Sequence, residues 1–254
     1  MPSTDFDQYF QISRGALYGF SAFGTAGVNR SVNTNSVPED IWGGGGLFPY
    51  QTTAVQLEAV SDSANDASAG TGARTVVVLG LDANWTVISE VLATNGTTPV
   101  TTTKSFFRIN AFRSLTCGAA GGNVGSITLR VAGGGATQAF MRPGEGQCMR
   151  GLYTVPAGFT AYLLDAFVAI VRAGTNESVE FSFNARTNLG PWITRNIFSV
   201  SANGVSTLHI MPRVLGAMPE KSDIRFTASA VSADNTTAQA TFVVVLKNTA
   251  IFSP

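Results

Sequence analysis

The sequence predicts an all-β chain: an antiparallel β-sandwich or jelly roll, with an extended N-terminal arm. Three observations carry that prediction. Apolar residues either alternate with polar ones or run in short β-branched stretches. Clusters of Gly, Asn, Pro and Thr separate those stretches at roughly 8–20 residue intervals. A 3.6-residue period almost never persists, so the crossover helices of a parallel βαβ fold are missing. Residues 1–50 read as the arm, 51–135 as a first β region and 136–254 as a second. The second region either stands as its own subdomain or closes one sandwich with the first.

The arm comes first. Its aromatics (Phe6, Tyr9, Phe10, Tyr18, Phe20, Phe23) are scattered among small residues without a sustained period. Residues 29–35 (NRSVNTN) read as loop, because Asn and Ser satisfy local backbone groups. Residues 43–46 (GGGG) break the chain. These aromatics need a surface, either the protein's own body or a neighbouring subunit. Trp42, Phe48 and Tyr50 flank the glycines and are the candidate interaction anchors, since aromatic side chains dominate interface energies. Packing on the protein's own core suits them equally.

Strands follow. Ala54–Val60 alternates, and Arg74–Leu81 (RTVVVLGL) is nearly continuous β-branched sequence. Asp82-Ala83-Asn84 supplies a turn into Trp85–Ala93, the clearest hairpin in the chain. Phe106–Thr116 follows a Thr-rich connector, residues 118–122 (GAAGG) turn the chain into Val124–Ala132, and residues 133–135 (GGG) break it again. Cys148–Val155 runs to the turn Pro156-Ala157-Gly158. Thr160–Arg172 has the length for a helix, but Thr, Tyr, Phe, Val and Ile favour strand. Glu177–Arg186, Ile193–Val200, Val205–Met211, Asp223–Ala230 and Gln239–Lys247 complete the set.

Composition narrows the function. The 254 residues carry 16 Lys+Arg against 16 Asp+Glu, and charged residues make up only 13%. An average soluble domain has roughly 25%. A neutral, charge-poor chain lacks the electrostatic footprint of a nucleic-acid binder. It also loses colloidal repulsion, which favours self-association. The chain is long enough to bury a core without a disulfide or metal. No apolar run is long enough for a membrane span, and the polar, acidic start does not read as a signal peptide.

The chemistry-bearing residues are few. His209 is the sole histidine, which argues against a His-dependent triad. Cys117 and Cys148 match neither a redox motif nor a disulfide framework and read as reduced, half-buried thiols. Asp165, Glu177, Glu180 and Asp223 show no spacing that sets a protonated acid beside an ionised partner, as glycan cleavage requires. Asp62, Asn65 and Asp66 form an oxygen-rich loop without an EF-hand pattern, so an Asx turn is the simpler reading. Neither glycine run precedes a helix or carries a lysine, which leaves close packing or a hinge rather than a phosphate loop. Arg108 and Arg113 differ in strand parity and are expected on opposite faces, and Arg130, Arg142 and Arg150 complete the mid-chain cations. The expectation is a non-enzyme with no cofactor and no metal.

Several segments together resemble a family of virion structural proteins from tailed bacteriophages of the marine and cyanophage type. They are residues 39–45 (EDIWGGG), 61–66 (SDSAND), 70–75 (GTGART), 80–82 (GLD), 88–90 (ISE), 95–100 (NGTTPV), 105–110 (SFFRIN), 153–158 (YTVPAG) and 219–224 (PEKSDI). The resemblance spans residues 25–247 and implies a particle component, made in the host cytoplasm and carried in the virion. It supplies no catalytic residues. The expectation is a capsid decoration (cement) protein, with a tail or fibre component binding a host receptor or glycan as the alternative. Its partners would be the major capsid protein or tail and portal components. Self-assembly would hide a low-charge surface, and a cyclic trimer is one closed solution.

Overall fold

The structure is a computed structural model that describes residues 10–172, 177–201, 206–211 and 216–251. In chain order, β1 (Phe20–Val32), β2 (Glu39–Asp40), β3 (Val55–Ser61), β4 (Ala73–Leu81), β5 (Val87–Ala93) and β6 (Val100–Phe106) come first. β7 (Arg108–Cys117), β8 (Ile127–Val131), β9 (Thr137–Met141), β10 (Leu152–Thr154) and β11 (Phe159–Arg172) follow. β12 (Ser178–Thr187), β13 (Ile193–Ser201), β14 (Thr207–Ile210), β15 (Ala217–Met218), β16 (Ser222–Val231) and β17 (Thr236–Asn248) complete the described set. All pairings are antiparallel, as the alternating sequence predicts.

The strands build two sandwiches. The larger packs the sheet β1-β17-β11-β14 on the sheet β10-β16-β12-β13, with β15 added to β11 and β2 to β16. Ranked one to eight along the chain, its long strands read 1-8-3-6 in one sheet and 2-7-4-5 in the other. That interlocked order is a jelly roll, in which each sheet alternates strands from the two halves of the chain. Phe181, Phe183, Phe226, Phe242, Val168 and Ile224 fill its core. The smaller sandwich packs β6-β3-β8-β9 on β5-β4-β7 around Leu57, Val78, Phe106, Phe112, Leu129 and Met141.

The smaller sandwich is an insert in one strand of the roll. β2 and β10 lie end to end on β16: Asp40 sits opposite Thr227, and Leu152 opposite Arg225. Phe226 lies between them. Its carbonyl accepts the Ile41 N–H at 2.9 Å and its N–H donates to the Gly151 carbonyl at 3.1 Å. One edge strand is therefore cut after Ile41 and resumes at Gly151. Gly27 crosses this splice, where an added Cβ would lie 2.0 Å from the Gly151 nitrogen and 2.2 Å from the Ile41 oxygen. Only glycine lets three backbones meet so closely.

This wiring corrects the expected boundaries. Phe20–Val32 is no separate arm, since it pairs with β17 from Phe20↔Lys247 to Val32↔Thr236. Of the two surfaces open to it, this segment takes the protein's own body. The break expected at residue 135 also moves, because Thr137–Met141 pairs with β8 inside the insert. The physical reason is that strand pairing, not position along the chain, sets the units. Residues 1–9 lie outside the described residues. The expected hairpin forms as β4 and β5, its turn pinned by Asp82, whose carboxylate accepts the Asn84 and Thr86 N–H groups at 2.8 and 2.9 Å. Thr160–Arg172 is strand, within β11.

Candidate functional site

Roll and insert meet across a buried ionic and aromatic junction. Asp223 of β16 accepts two bonds from Arg108 of β7, Nε at 2.8 Å and Nη2 at 3.1 Å. It also accepts Arg186 Nε at 2.9 Å and the Thr154 hydroxyl at 2.7 Å. Both members of the Arg108–Asp223 pair are buried. Arg108 Nη1 donates to the Gln51 and Phe107 carbonyls, both at 2.8 Å. Asp40 faces Arg225 at 3.1 Å and accepts the Phe48 N–H at 2.7 Å. Burial raises the Asp40 pKa against the pull of Arg225. A buried pair repays its desolvation only when its other lone pairs and protons are satisfied, and Asp223 accepts four hydrogen bonds.

The three candidate anchors belong to this junction. Trp42 and Phe48 are 3% and 6% exposed and pack on Leu152, with Tyr50 against them. Their rings stack edge to face, at 5.1 Å for Trp42–Phe48 and 4.8 Å for Phe48–Tyr50. Arg186 lies 4.5 Å over both Tyr50 and Trp192, and Arg225 lies 3.9 Å over Trp192. Burial raises the Tyr50 phenol well above its usual range. The anchor assignment is therefore corrected: of the two surfaces open to them, these rings take the protein's own body and staple insert to roll, with Trp42 and Phe48 buried and Tyr50 half-buried. The glycine run follows from the same packing. A Cβ on Gly44 would sit 2.3 Å from the Trp42 ring, and the indole N–H donates to the Gly46 carbonyl at 3.0 Å.

Beside the junction, between β1 and β7, lies a cleft of about 250 Å³. Gly24 and Ala26 of β1 form one wall, and Ala111 and Arg113 of β7 with Gln147 and Arg150 form the other. Among the described residues no carboxylate lines it, and Arg113 makes no ion pair. Arg150 is 3% exposed. It donates to the Gln138 carbonyl at 2.6 Å and lies 4.6 Å over Phe48, but its Nε has no hydrogen-bond partner. Burial lowers its pKa. A second cleft, of about 360 Å³, runs past Asn29, Arg30, Glu39 and Arg142. There Arg30 is already paired with Glu145 at 2.8 Å and Glu39 accepts the Asn29 amide and the Gly46 N–H, while Arg142 makes no ion pair among the described residues.

Sequence parity missed how Arg113 reaches the first cleft. Val77 pairs Arg113, Leu79 pairs Ala111 and Leu81 pairs Arg108, with Asn110 left over as a bulge. That extra residue restores a common face to Arg108 and Arg113, which corrects the expectation of opposite faces. Asn110 itself bonds the Thr154 backbone in the roll, from Nδ2 to its carbonyl and from its N–H to Oδ1, both at 2.9 Å. No signal in the sequence marks a bulge at Asn110.

The remaining motifs are internal fittings. Asp66 accepts Ala73 and Gly125 N–H groups at 2.8 Å, Val124 N–H at 2.9 Å and the Ser61 hydroxyl at 2.7 Å. Its oxygens close an Asx-type loop, and the described residues hold no cluster of three metal-ligating side chains. Gly133 and Gly134 do form an anion cradle, but Glu58 occupies it, accepting both N–H groups at 3.0 Å. Asp165 pairs with exposed His209 at 2.5 Å, and Glu180 accepts Ser229 Oγ at 2.8 Å, far from Asp223 in their contacts. Cys117 and Cys148 are both free and half-buried. No described helix is long and apolar enough to cross a membrane.

No protein-family model matches the chain, and no curated protein does. Among solved structures, the VP2 subviral particle of infectious bursal disease virus aligns at 7% identity. It covers 91% of this chain and 77% of that one, with a TM-score of 0.17. A likeness that slight carries no argument.

Proposed function

We propose that this chain is a structural component of a tailed-phage virion, a capsid decoration protein that holds its neighbours by surface complementarity. One observation carries the reading most: the buried carboxylates Asp40, Asp66, Glu58 and Asp223 are spent on bonds that hold the chain together. What remains for function is surface. That surface is charge-poor and includes the edge strand β13, where Ile193 and Ile197 are more than half exposed. Sheet edges present unpaired backbone groups to other chains. The resemblance of the sequence segments to virion proteins points the same way, and the clamp would act through sheet edges, since Trp42 and Phe48 are buried and Tyr50 packs on them.

The test is the number of copies per purified particle, by quantitative mass spectrometry with immunogold localisation. Many copies spread over the head lattice are expected. Few copies at one vertex would transfer the proposal to a tail or fibre component, and absence from particles would end it.

A further inference from the structure

We infer that the cleft between β1 and β7 is a strand-addition groove for an extended acidic segment of a partner protein. β1 is the edge strand of its sheet. The Asn248 N–H donates to the Gly19 carbonyl at 2.8 Å, and Gly19 precedes the pair Phe20↔Lys247. Antiparallel pairs alternate between bonded and non-bonded, so Ser21, Phe23 and Thr25 spend their backbone groups on β17. Ala22, Gly24 and Ala26 turn theirs outward. No strand is paired with that edge among the described residues.

The far wall supplies selectivity. The Asn110 bulge brings exposed Arg113 to the face that looks across at β1, and Arg150 lies buried behind it, where its charge adds to the field but its unpartnered Nε–H is closed off from the cleft. The cleft is thus lined by two arginines and no carboxylate, in a chain whose charges balance as a whole. An arriving carboxylate gains charge-assisted hydrogen bonds there, roughly twice as strong as neutral ones, and a basic segment is repelled. Gly24, Ala26 and Ala111 keep side-chain bulk out of the path. An added Cβ on Gly24 meets only Val243, at 3.7 Å. The volume of about 250 Å³ falls below the roughly 300–1,000 Å³ of small-molecule sites. It suits a side chain or two on a backbone that continues along the edge. Edge pairing gives affinity and the pocket gives sequence preference, as in other strand-addition sites.

This inference does not rest on the virion reading, and its test can fail while that one succeeds. Random nine-residue peptides displayed on a carrier would be selected against the immobilised full-length chain. The best would then be synthesised with a fluorescein label and titrated by anisotropy. The expected peptides alternate β-branched residues around one fixed Asp or Glu. Arg113→Glu should weaken the labelled peptide by about tenfold or more, and selection on that variant should put Lys or Arg at the same position. Gly24→Pro removes an outward N–H but no ladder bond, so it should weaken binding with the melting temperature unchanged. If Gly24→Pro fails to fold, the Arg113→Glu swap at the cleft mouth still decides. Four results would overturn the inference: no enriched peptide, enriched peptides without a fixed acid, affinity indifferent to Arg113→Glu, or full displacement of the peptide by equimolar inorganic phosphate.

Discussion

The roll and its insert are sandwiches of the same kind with opposite wiring. In the insert, every strand pairing stays within residues 55–141, and its loops are pinned by carboxylates of its own, Asp66 on one side and Glu58 on the other. In the roll, β1 pairs β17 from near the opposite end of the chain, and one edge strand is assembled from two pieces. Loop closure must be met before such distant pairs repay it. The insert therefore carries its own instructions, whereas the roll forms only when both flanks of the insert arrive together. The junction is where the two must agree, and it is built from charges and rings, not from a continuous apolar core.

The largest way to break this comparison is to remove Asp223. Asp223→Ala leaves Arg108 buried without its carboxylate, and removing one partner of a buried pair costs about 3–5 kcal/mol. Calorimetry should show a single transition splitting into two, because the lost group is the main tie between the units. Arg108→Met with Asp223→Leu should recover most of the loss, since apolar replacement of a whole pair is often neutral. A single unchanged transition in Asp223→Ala would mean that the aromatic staple alone couples the sandwiches.

Core truncations sharpen the same contrast at a similar or slightly smaller scale. Phe112→Ala in the insert and Phe226→Ala in the roll should each cost about 3–5 kcal/mol. Hydrogen exchange should lose protection mainly in the β4–β5–β7 sheet for the first and in β12, β16 and β17 for the second. Equal loss in both units from either change would show one cooperative body instead of two.

A smaller test uses pH. Glu39 is buried, which alone raises its pKa, but Ser36, Asn29 and the Gly46 and Asn33 N–H groups outweigh that and hold it below its ordinary value. Glu58 is likewise lowered, first by the Gly133 N–H. A carboxylate lowered in the folded state contributes stability that is complete above its unfolded pKa and is lost as the pH falls through the folded one. Glu39→Gln should therefore flatten the acid limb of stability for the roll, and Glu58→Gln for the insert, each costing about 1–2 kcal/mol at neutral pH. An acid limb unchanged in both variants would place the acid sensitivity elsewhere.

How legible was this in the sequence? The hairpin β4–β5 was, because a β-branched run, an Asp-led turn and a return strand are local signals. The strand in Thr160–Arg172 was, because β-branched and aromatic residues outweighed its helix-like length. β1 was not, since Phe20–Val32 contains Gly27, where close backbone contact outranks propensity. The splice was illegible because Ile41 and Gly151 are adjacent only in space. The cleft was half legible: Arg113 stood out as a cation, but its face depended on a bulge at Asn110 that alternation cannot foresee. Trp42, Phe48 and Tyr50 announced an aromatic contact without saying whether its other side was self or partner.

The smallest effect on stability separates the edges of the two units. The insert guards its edge strand β5: Glu90 accepts the Thr103 and Lys104 N–H groups at 2.7 and 2.9 Å, and the Lys104 ammonium donates to the Ser89 carbonyl at 2.7 Å. The roll's edge strand β13 has only a bulge at Arg195 near its start, and beyond it Ile197 is 59% exposed. Ile197→Lys should change monomer stability by no more than about 0.5 kcal/mol. It should nevertheless shift sedimentation toward monomer, because a charge on an open edge opposes strand addition. Val91→Lys, on the guarded edge, should leave sedimentation unchanged. The reverse pattern would move the proposed self-association surface from the roll to the insert, and an unchanged sedimentation in both variants would remove both edges from the proposal.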